Sequence, residues 1–189
     1  YKGLAMWQAG VFHAVPAADA VHYPVLDIYA ISETSEGITV ATSGGVFDVR
    51  DGRLVQRAGG PSSAQSLLPR RDGLWVGSLG GVYRMDAKGL RFLPLPGEVA
   101  SAVVTRLAEA QGRIWAGTSL GLYVRDGDQW RAATDVEGLR NAPITMLLED
   151  RAHSLWVGSN AGMARFRDGA LSEFIPESSP AAVKGVIGA

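Results

Sequence analysis

The chain has 189 residues, a formal net charge of −1 and a hydrophobic fraction of 47%, which allows one substantial domain with a large core. Its near-neutral charge provides no basic surface for nucleic acid, and the absence of cysteine excludes disulfide bonds and thiolate metal sites. No apolar run approaches the roughly 20 residues that span a bilayer, so we expect no membrane contact by this segment.

The sequence repeats one pattern, in which a short apolar strand leads through a small-residue turn into a strand that begins with glycine. The pattern occupies Gly37–Phe47, Gly73–Tyr83, Arg113–Tyr123 and Ser154–Ala164. Its glycines, spaced by 36, 40 and 41 residues, are Gly45, Gly81, Gly121 and Gly162. A period near 40 with strand-like content is typical of a propeller blade.

In chain order, the repeat predicts an all-β fold: a β-propeller segment with about four complete four-stranded blades and a partial blade at each end. Residues 1–15 are predicted to be half a blade, because Gly3 precedes Gly45 by 42 residues. The complete blades are predicted at residues 25–56, 64–95, 102–133 and 143–176. Residues 182–189 could be the first strand of a further blade, so that 1–189 forms a single propeller region.

Local signals mostly agree with this reading. Asp51-Gly52, Asp126-Gly127 and Asp168-Gly169 are dipeptides that favour two-residue hairpin turns between strands. Residues 98–111, rich in Ala, Glu and Leu, would favour a helix in isolation. Because they align with the first strands of the other repeats, we expect a strand there.

The repeated residues are interpreted as structural. Trp75, Trp115 and Trp156 lie in strands with almost no polar face, which are expected to pack between neighbouring blades. The four repeated glycines are expected where a turn requires positive φ or where a side chain would clash. Together these seven residues form the predicted structural core of the repeat.

Motifs for catalysis or metal binding are weak. Gly117–Gly121 matches the G-x-S-x-G nucleophile pattern, but a strand, and not a helix, is predicted after the turn, and Ser119 occupies a variable repeat position. The three histidines, His13, His22 and His153, lack a persuasive set of partner ligands. We therefore predict no catalytic residue, no metal site and no cofactor.

Binding is expected on the loops between blades, which vary while the frame repeats. These connectors are predicted to share one face with the turns between second and third strands, around the central channel. His22, Tyr23, Asn141 and Asn160 are the candidate ligand contacts on that face.

The block Leu-Trp-Val-Gly-Ser at residues 74–78 and 155–159, followed by Gly-Val-Tyr at 81–83, resembles the two-component regulator propeller repeat. The block is degenerate at Thr39, and Ala164 stands where the family pattern has Tyr. The resemblance implies the periplasmic or extracytoplasmic sensor region of a bacterial histidine kinase, hybrid regulator or diguanylate cyclase. It implies a non-catalytic module with a small-molecule ligand, carbohydrate being the class best associated with the family.

Two questions stay open at the level of sequence. The segment could close on itself by pairing residues 3–15 with residues 183–187, or it could be an arc whose partners are the remaining blades or another chain of the parent receptor. The alternatives to a sensor are a free-standing, lyase-like propeller enzyme and a protein–protein interaction scaffold.

Overall fold

A computed structural model describes residues 3–20, 22–23, 26–133 and 137–177. The chain starts with a hairpin of β1 (Leu4–Gln8) and β2 (Val11–Val15). The first blade then contains β3 (Ile28–Thr34), β4 (Gly37–Thr42), β5 (Gly45–Arg50) and β6 (Arg53–Gln56). The second blade contains β7 (Ser66–Arg70), β8 (Gly73–Ser78), β9 (Gly81–Asp86) and β10 (Gly89–Pro94).

A 3-10 turn at Gly97–Val99 precedes the third blade. That blade contains β11 (Val104–Ala110), β12 (Arg113–Thr118), β13 (Gly121–Asp126) and β14 (Gln129–Ala132). After the short helix α1 (Glu137–Arg140), the fourth blade contains β15 (Ile144–Glu149), β16 (Leu155–Ser159), β17 (Gly162–Arg167) and β18 (Ala170–Pro176).

Consecutive strands are hydrogen-bonded neighbours in each four-stranded sheet, which is the arrangement of a propeller blade. The predicted fold class, an all-β propeller segment, is confirmed. The region at residues 98–111 contains β11 and no long helix, so the repeat outweighed local helix propensity. The strand predicted over residues 182–189 lies outside the described residues.

Two of the three predicted Asp-Gly turns have the expected backbone, whereas Asp126 ends β13 and only Gly127 of that pair has positive φ. Asp51 and Gly52 have φ of 49° and 72°, and Asp168 and Gly169 have φ of 50° and 76°. Positive φ at both central residues is the type I′ geometry, which matches the twist of the flanking strands. The third and fourth strands of these blades are therefore joined by two-residue hairpin turns.

The chain forms two compact units. The first contains the described residues up to Ser78 together with Val82–Phe92. Its core has two hydrophobic clusters: one, including Val15, Val40 and Phe47, joins the β1–β2 hairpin to the first blade, and the other joins the first and second blades. The cluster between blades is built from Ala41, Val46, Ala64, Leu74 and Val76.

The second unit contains Leu79–Gly81 and the described residues from Leu93 onward. Its core lies between the third and fourth blades, where Trp115 contacts Phe166 with ring centroids 5.3 Å apart. Leu139 of α1 is fully buried in the same cluster. The connector between these blades is therefore anchored in the core that it spans.

Candidate functional site

In three blades, a Ser or Thr hydroxyl makes two hydrogen bonds to the backbone of the turn between the second and third strands. We call this pair of hydrogen bonds the hydroxyl bracket. In the first blade, Thr42 donates through Oγ1 to the carbonyl of Gly45 at 2.9 Å and accepts the N–H of Gly44 at 3.0 Å. Thr118 makes the same pair of hydrogen bonds, at 2.8 and 3.0 Å, and so does Ser159, at 3.1 and 3.2 Å. These hydrogen bonds thus fix the backbone of each turn, in which the residues between the hydroxyl side chain and the glycine lie.

Connectors between blades lie at the same end of the sheets as these turns. Ser78 donates to the carbonyl of Ser63 at 2.8 Å within the first unit, and Ser159 donates to the carbonyl of Gly138 at 3.2 Å within the second. In each unit, we call this end the connector face. It is formed by residues 16–20, 22–23, 26–27, 43–44 and 59–65 in the first unit, and by 95–103, 119–120, 137–143 and 160–161 in the second.

His22 and Tyr23 lie on the connector face of the first unit. His22 is tethered to Asp19, whose carboxylate accepts the His22 N–H at 3.1 Å and lies 2.8 Å from its Nδ1. Tyr23 is partly buried and packs edge-on against Phe47, with centroids 5.1 Å apart. A Cβ at Gly44 would lie only 3.0 Å from the Tyr23 ring, so the ring rests on the turn of the first blade.

Asn141 and Asn160 are exposed on the connector face of the second unit. Asn160 lies in the turn bracketed by Ser159, while Asn141 follows α1. His22 and Tyr23 are thus close together, whereas Asn141 and Asn160 belong to the other compact unit.

The repeated tryptophans differ in burial, but each indole N–H is satisfied near the turn between first and second strands. Trp75 and Trp115 are 2% and 0% exposed, whereas Trp156 is half-buried and carries Arg165 over its ring at 5.1 Å. Their Nε1 atoms donate, at 2.8–3.2 Å, to Asp72, to the Ala110 carbonyl and to Asp150, respectively.

In the first blade, a polar network occupies the place of the missing tryptophan. Thr39 is fully buried and donates to Asp48 Oδ1 at 2.9 Å. Arg57 binds the same oxygen through Nη2 at 2.6 Å, and Arg50 reaches the other at 3.2 Å. The buried carboxylate is thereby paired and hydrogen-bonded, as a buried charge must be.

The structure also forms a cleft of about 770 Å3 that the sequence analysis did not anticipate, at the opposite end of the first unit's blades. It lies among the β3–β4, β7–β8 and β9–β10 turns, and we call it the arginine cleft. Its charged lining comprises the cationic Arg57, Arg70, Arg71, Arg84 and Lys88 and the acidic Glu36, Asp72 and Asp86.

Two carboxylates of the arginine cleft, Asp72 and Asp86, are held ionised. Burial alone would raise the pKa of Asp72, but hydrogen bonds from Arg70 and Trp75 outweigh it and leave the pKa below its ordinary value. The backbone N–H of Lys88, followed by the Arg84 guanidinium, lowers the pKa of Asp86. Both side chains therefore stay negative at neutral pH and orient the arginines beside them.

In the second unit, a smaller cleft of about 570 Å3 lies at the end of the blades that carries the turns between first and second strands and between third and fourth strands. Its lining includes Gln111, Arg113, His153 and Arg167. Gln111 connects the two blades there: its Nε2 donates to the carbonyls of His153 at 2.8 Å and Phe166 at 3.0 Å. The side-chain N–H groups of Gln111 are used in these hydrogen bonds, so Gln111 connects the third blade to the fourth.

Ser119 is not arranged as a nucleophile. Its Oγ accepts the N–H of Val103 at 3.0 Å, and the turn continues into β13 and not into a helix. Among the described residues, no group of three His, Cys, Asp or Glu side chains is arranged to hold a metal ion. No helix in the described part of the chain is both long and apolar enough to cross a membrane.

Four-stranded sheets joined by bracketed turns and connectors define this chain as a β-propeller segment. Within it, residues 138–161 match the family profile of the two component regulator propeller. The predicted family resemblance is confirmed. A comparison with curated proteins gave no significant match.

Solved structures show the same fold. Two extracellular domains of B. thetaiotaomicron, each assigned to a hybrid two-component system, are 21% and 17% identical with TM-scores of 0.69 and 0.66. The alignments cover 88% and 90% of this chain but 25% of each of those chains, so this chain spans about a quarter of their length. A catalytically inactive virginiamycin B lyase from Staphylococcus aureus, solved with quinupristin, is 16% identical over 82% of this chain and 57% of the lyase, with a TM-score of 0.64.

Proposed function

We propose that this chain is a non-catalytic, ligand-binding part of the sensor region of a bacterial extracytoplasmic signalling receptor, and that its ligand is a carbohydrate. The observation that carries the proposal is the likeness of about nine-tenths of the chain to extracellular domains assigned to two-component systems. The family repeat at residues 138–161 supports the same assignment.

The connector face is the proposed contact surface. Hydroxyl brackets at Thr42, Thr118 and Ser159 fix its turns, so recognition there would need little ordering of the backbone. We assign His22 and Tyr23 to ligand contact in the first unit and Asn141 and Asn160 in the second. An imidazole, a phenol and an amide suit the hydroxyl groups of a neutral sugar, because each can donate or accept hydrogen bonds.

Further blades of the same receptor are the proposed protein partner. The β1–β2 hairpin is two-stranded, whereas the blades have four strands. Trp7 and Phe12 on this hairpin are 61% and 71% exposed, and their rings contact each other with centroids 4.7 Å apart and an interplanar angle of 58°. An exposed aromatic pair on an incomplete sheet is the kind of surface that another blade would cover.

A saccharide panel tests the ligand assignment. Thermal shift and calorimetry on the full chain should identify a binding neutral sugar, and the variants His22→Ala and Asn160→Ala should weaken its binding. His153→Ala is the matched control, because that histidine is exposed in the β15–β16 turn, away from the connector face. Loss of affinity in the control alone, or no binding by any saccharide, would reject the proposal.

A lyase-like enzyme is the second candidate, favoured by the structural likeness to virginiamycin B lyase. In that case, exposed His22 would be the most plausible proton carrier, with Asp19 orienting its ring through Nδ1. Turnover that disappears in His22→Ala would support this candidate. Binding without chemical change of the ligand supports the sensor module instead.

A further inference from the structure

The arginine cleft has an excess of positive charge in a chain that is slightly negative overall. Five cationic side chains line it against three carboxylates, while the whole chain has a net charge of −1. Charges gathered in a concave surface focus the electrostatic potential there. The cleft is therefore a preferred place for an anion on the first unit.

Two arginines in the cleft walls are held in place by neighbouring carboxylates. Arg84 binds Asp86 through Nη2 at 2.6 Å, and Arg57 binds Asp48 through Nη2 at 2.6 Å. Their side chains are only 26% and 20% exposed. Positioning of this kind reduces the entropy that a ligand would otherwise lose when it orders them.

The rim of the cleft carries two further cations. Arg71 and Lys88 are exposed, and among the described residues no hydrogen bond or ion pair occupies either side-chain head group. Arg71 lies in the β7–β8 turn and Lys88 in the β9–β10 turn, so both charges flank the same opening. An anion entering the cleft could contact both without displacing an existing partner.

We propose that the arginine cleft binds the oxyanion group of a small ligand, a carboxylate or a sulfate, with Arg71 and Lys88 as its direct contacts. A guanidinium and an ammonium form charge-assisted hydrogen bonds with such groups. The volume of about 770 Å3 is that of a small-molecule site and would accommodate one or two sugar rings attached to the anion. The inference deepens the proposed function, on which it rests for the saccharide part of the ligand.

Calorimetry on the full chain with paired probes tests the cleft. Galacturonate and galactose differ in a carboxylate, and sodium sulfate at matched ionic strength supplies the other oxyanion. Galacturonate or sulfate should bind, and Arg71→Gln combined with Lys88→Gln should weaken that binding by about tenfold or more. Arg53→Gln combined with Arg151→Gln is the control, because it removes two exposed positive charges outside the cleft.

The outcomes separate the two proposals. Binding of galacturonate alone assigns a carboxylate, and binding of sulfate alone assigns a tetrahedral anion; either supports the site if the cleft variant loses it and the control does not. Equal losses in both double variants, or no binding of either oxyanion, would overturn the site. A neutral sugar that binds the cleft variant normally would leave the proposed sensor function standing after the anion site had failed.

Discussion

The backbone N–H of Gly169 donates to Oε1 of Gln111 at 2.7 Å, which connects a turn of the third blade to a turn of the fourth. The Gln111 amide also donates to two carbonyls of the fourth blade, so its hydrogen-bonding groups are used across the blade boundary. Gln111 and Gly112 have φ of 55° and 70°, which is the type I′ geometry of a two-residue hairpin turn. One turn residue thus links two sheets that are also joined by hydrogen bonds from Thr105 to the Ile144 carbonyl and from Arg106 to the Thr145 carbonyl.

Replacing this amide should weaken the second unit. We expect Gln111→Ala to lower the free energy of unfolding by about 1–3 kcal/mol, because two carbonyls and one N–H lose their partner. Gln111→Glu should also destabilise, since a carboxylate cannot donate to the carbonyls of His153 and Phe166. Urea unfolding measures both, with exposed Gln129→Ala as the control; a loss no larger than the control would contradict this role.

The hydrogen bonds and ion pairs around Asp48, which occupy the place of tryptophan in the first blade, should stabilise the folded protein. Asp48→Asn is expected to cost about 2–3 kcal/mol, less than the roughly 3–5 kcal/mol of a fully buried pair, because Arg57 keeps its contact with Glu36. Asp126→Asn removes an exposed pair with Arg131 and should cost less than about 1 kcal/mol. Chemical denaturation of both variants compares them, and equal losses would show that burial of Asp48 contributes nothing.

Gly121 should not tolerate a side chain. Its φ is +117°, and a Cβ there would collide with the carbonyl of Arg140. Gly121→Ala should therefore destabilise by about 2 kcal/mol or more, whereas Gly127→Ala, at φ +55° with open space around it, should cost about 1 kcal/mol. Thermal melting distinguishes the two; similar melting temperatures would mean that the connector moves away from Gly121 without penalty.

Asp150 should make stability depend on pH. The backbone N–H of Ser154 and the Trp156 indole lower the pKa of its carboxyl below the ordinary value of 3.8. A depressed folded-state pKa gives stability that is present above about pH 4 and is lost as the pH falls through the folded value. Wild type should exceed Asp150→Asn in denaturant midpoint at pH 7, and the gap should shrink below pH 4. A gap that is independent of pH would exclude ionisation as the cause.

Much of the fold follows from repeated residues. The glycine period predicted the propeller class, and alignment at residues 98–111 favoured a strand where composition favoured a helix; β11 confirms it. The Asp-Gly dipeptides indicated hairpin turns because few residues accept positive φ. The polar network around Asp48 was not predicted, because its partners come from two different strands and a connector.

The sites are less accessible from sequence. The environment of Tyr23 depends on the space above Gly44, which no local pattern encodes. The arginine cleft was missed because its charges come from separate turns between residues 36 and 88, and acidic residues elsewhere hide them in the net charge. The adjacent pair Arg70-Arg71, read together with Arg84 and Lys88 at the neighbouring hairpin, was the available signal.

The most direct test of the central claim, ligand binding without catalysis, is calorimetric titration of the full chain with a saccharide panel, followed by mass spectrometry of the recovered ligand. We expect saturable binding of at least one saccharide, recovered chemically unchanged. No saccharide binding, or recovery of a cleaved product, would contradict it.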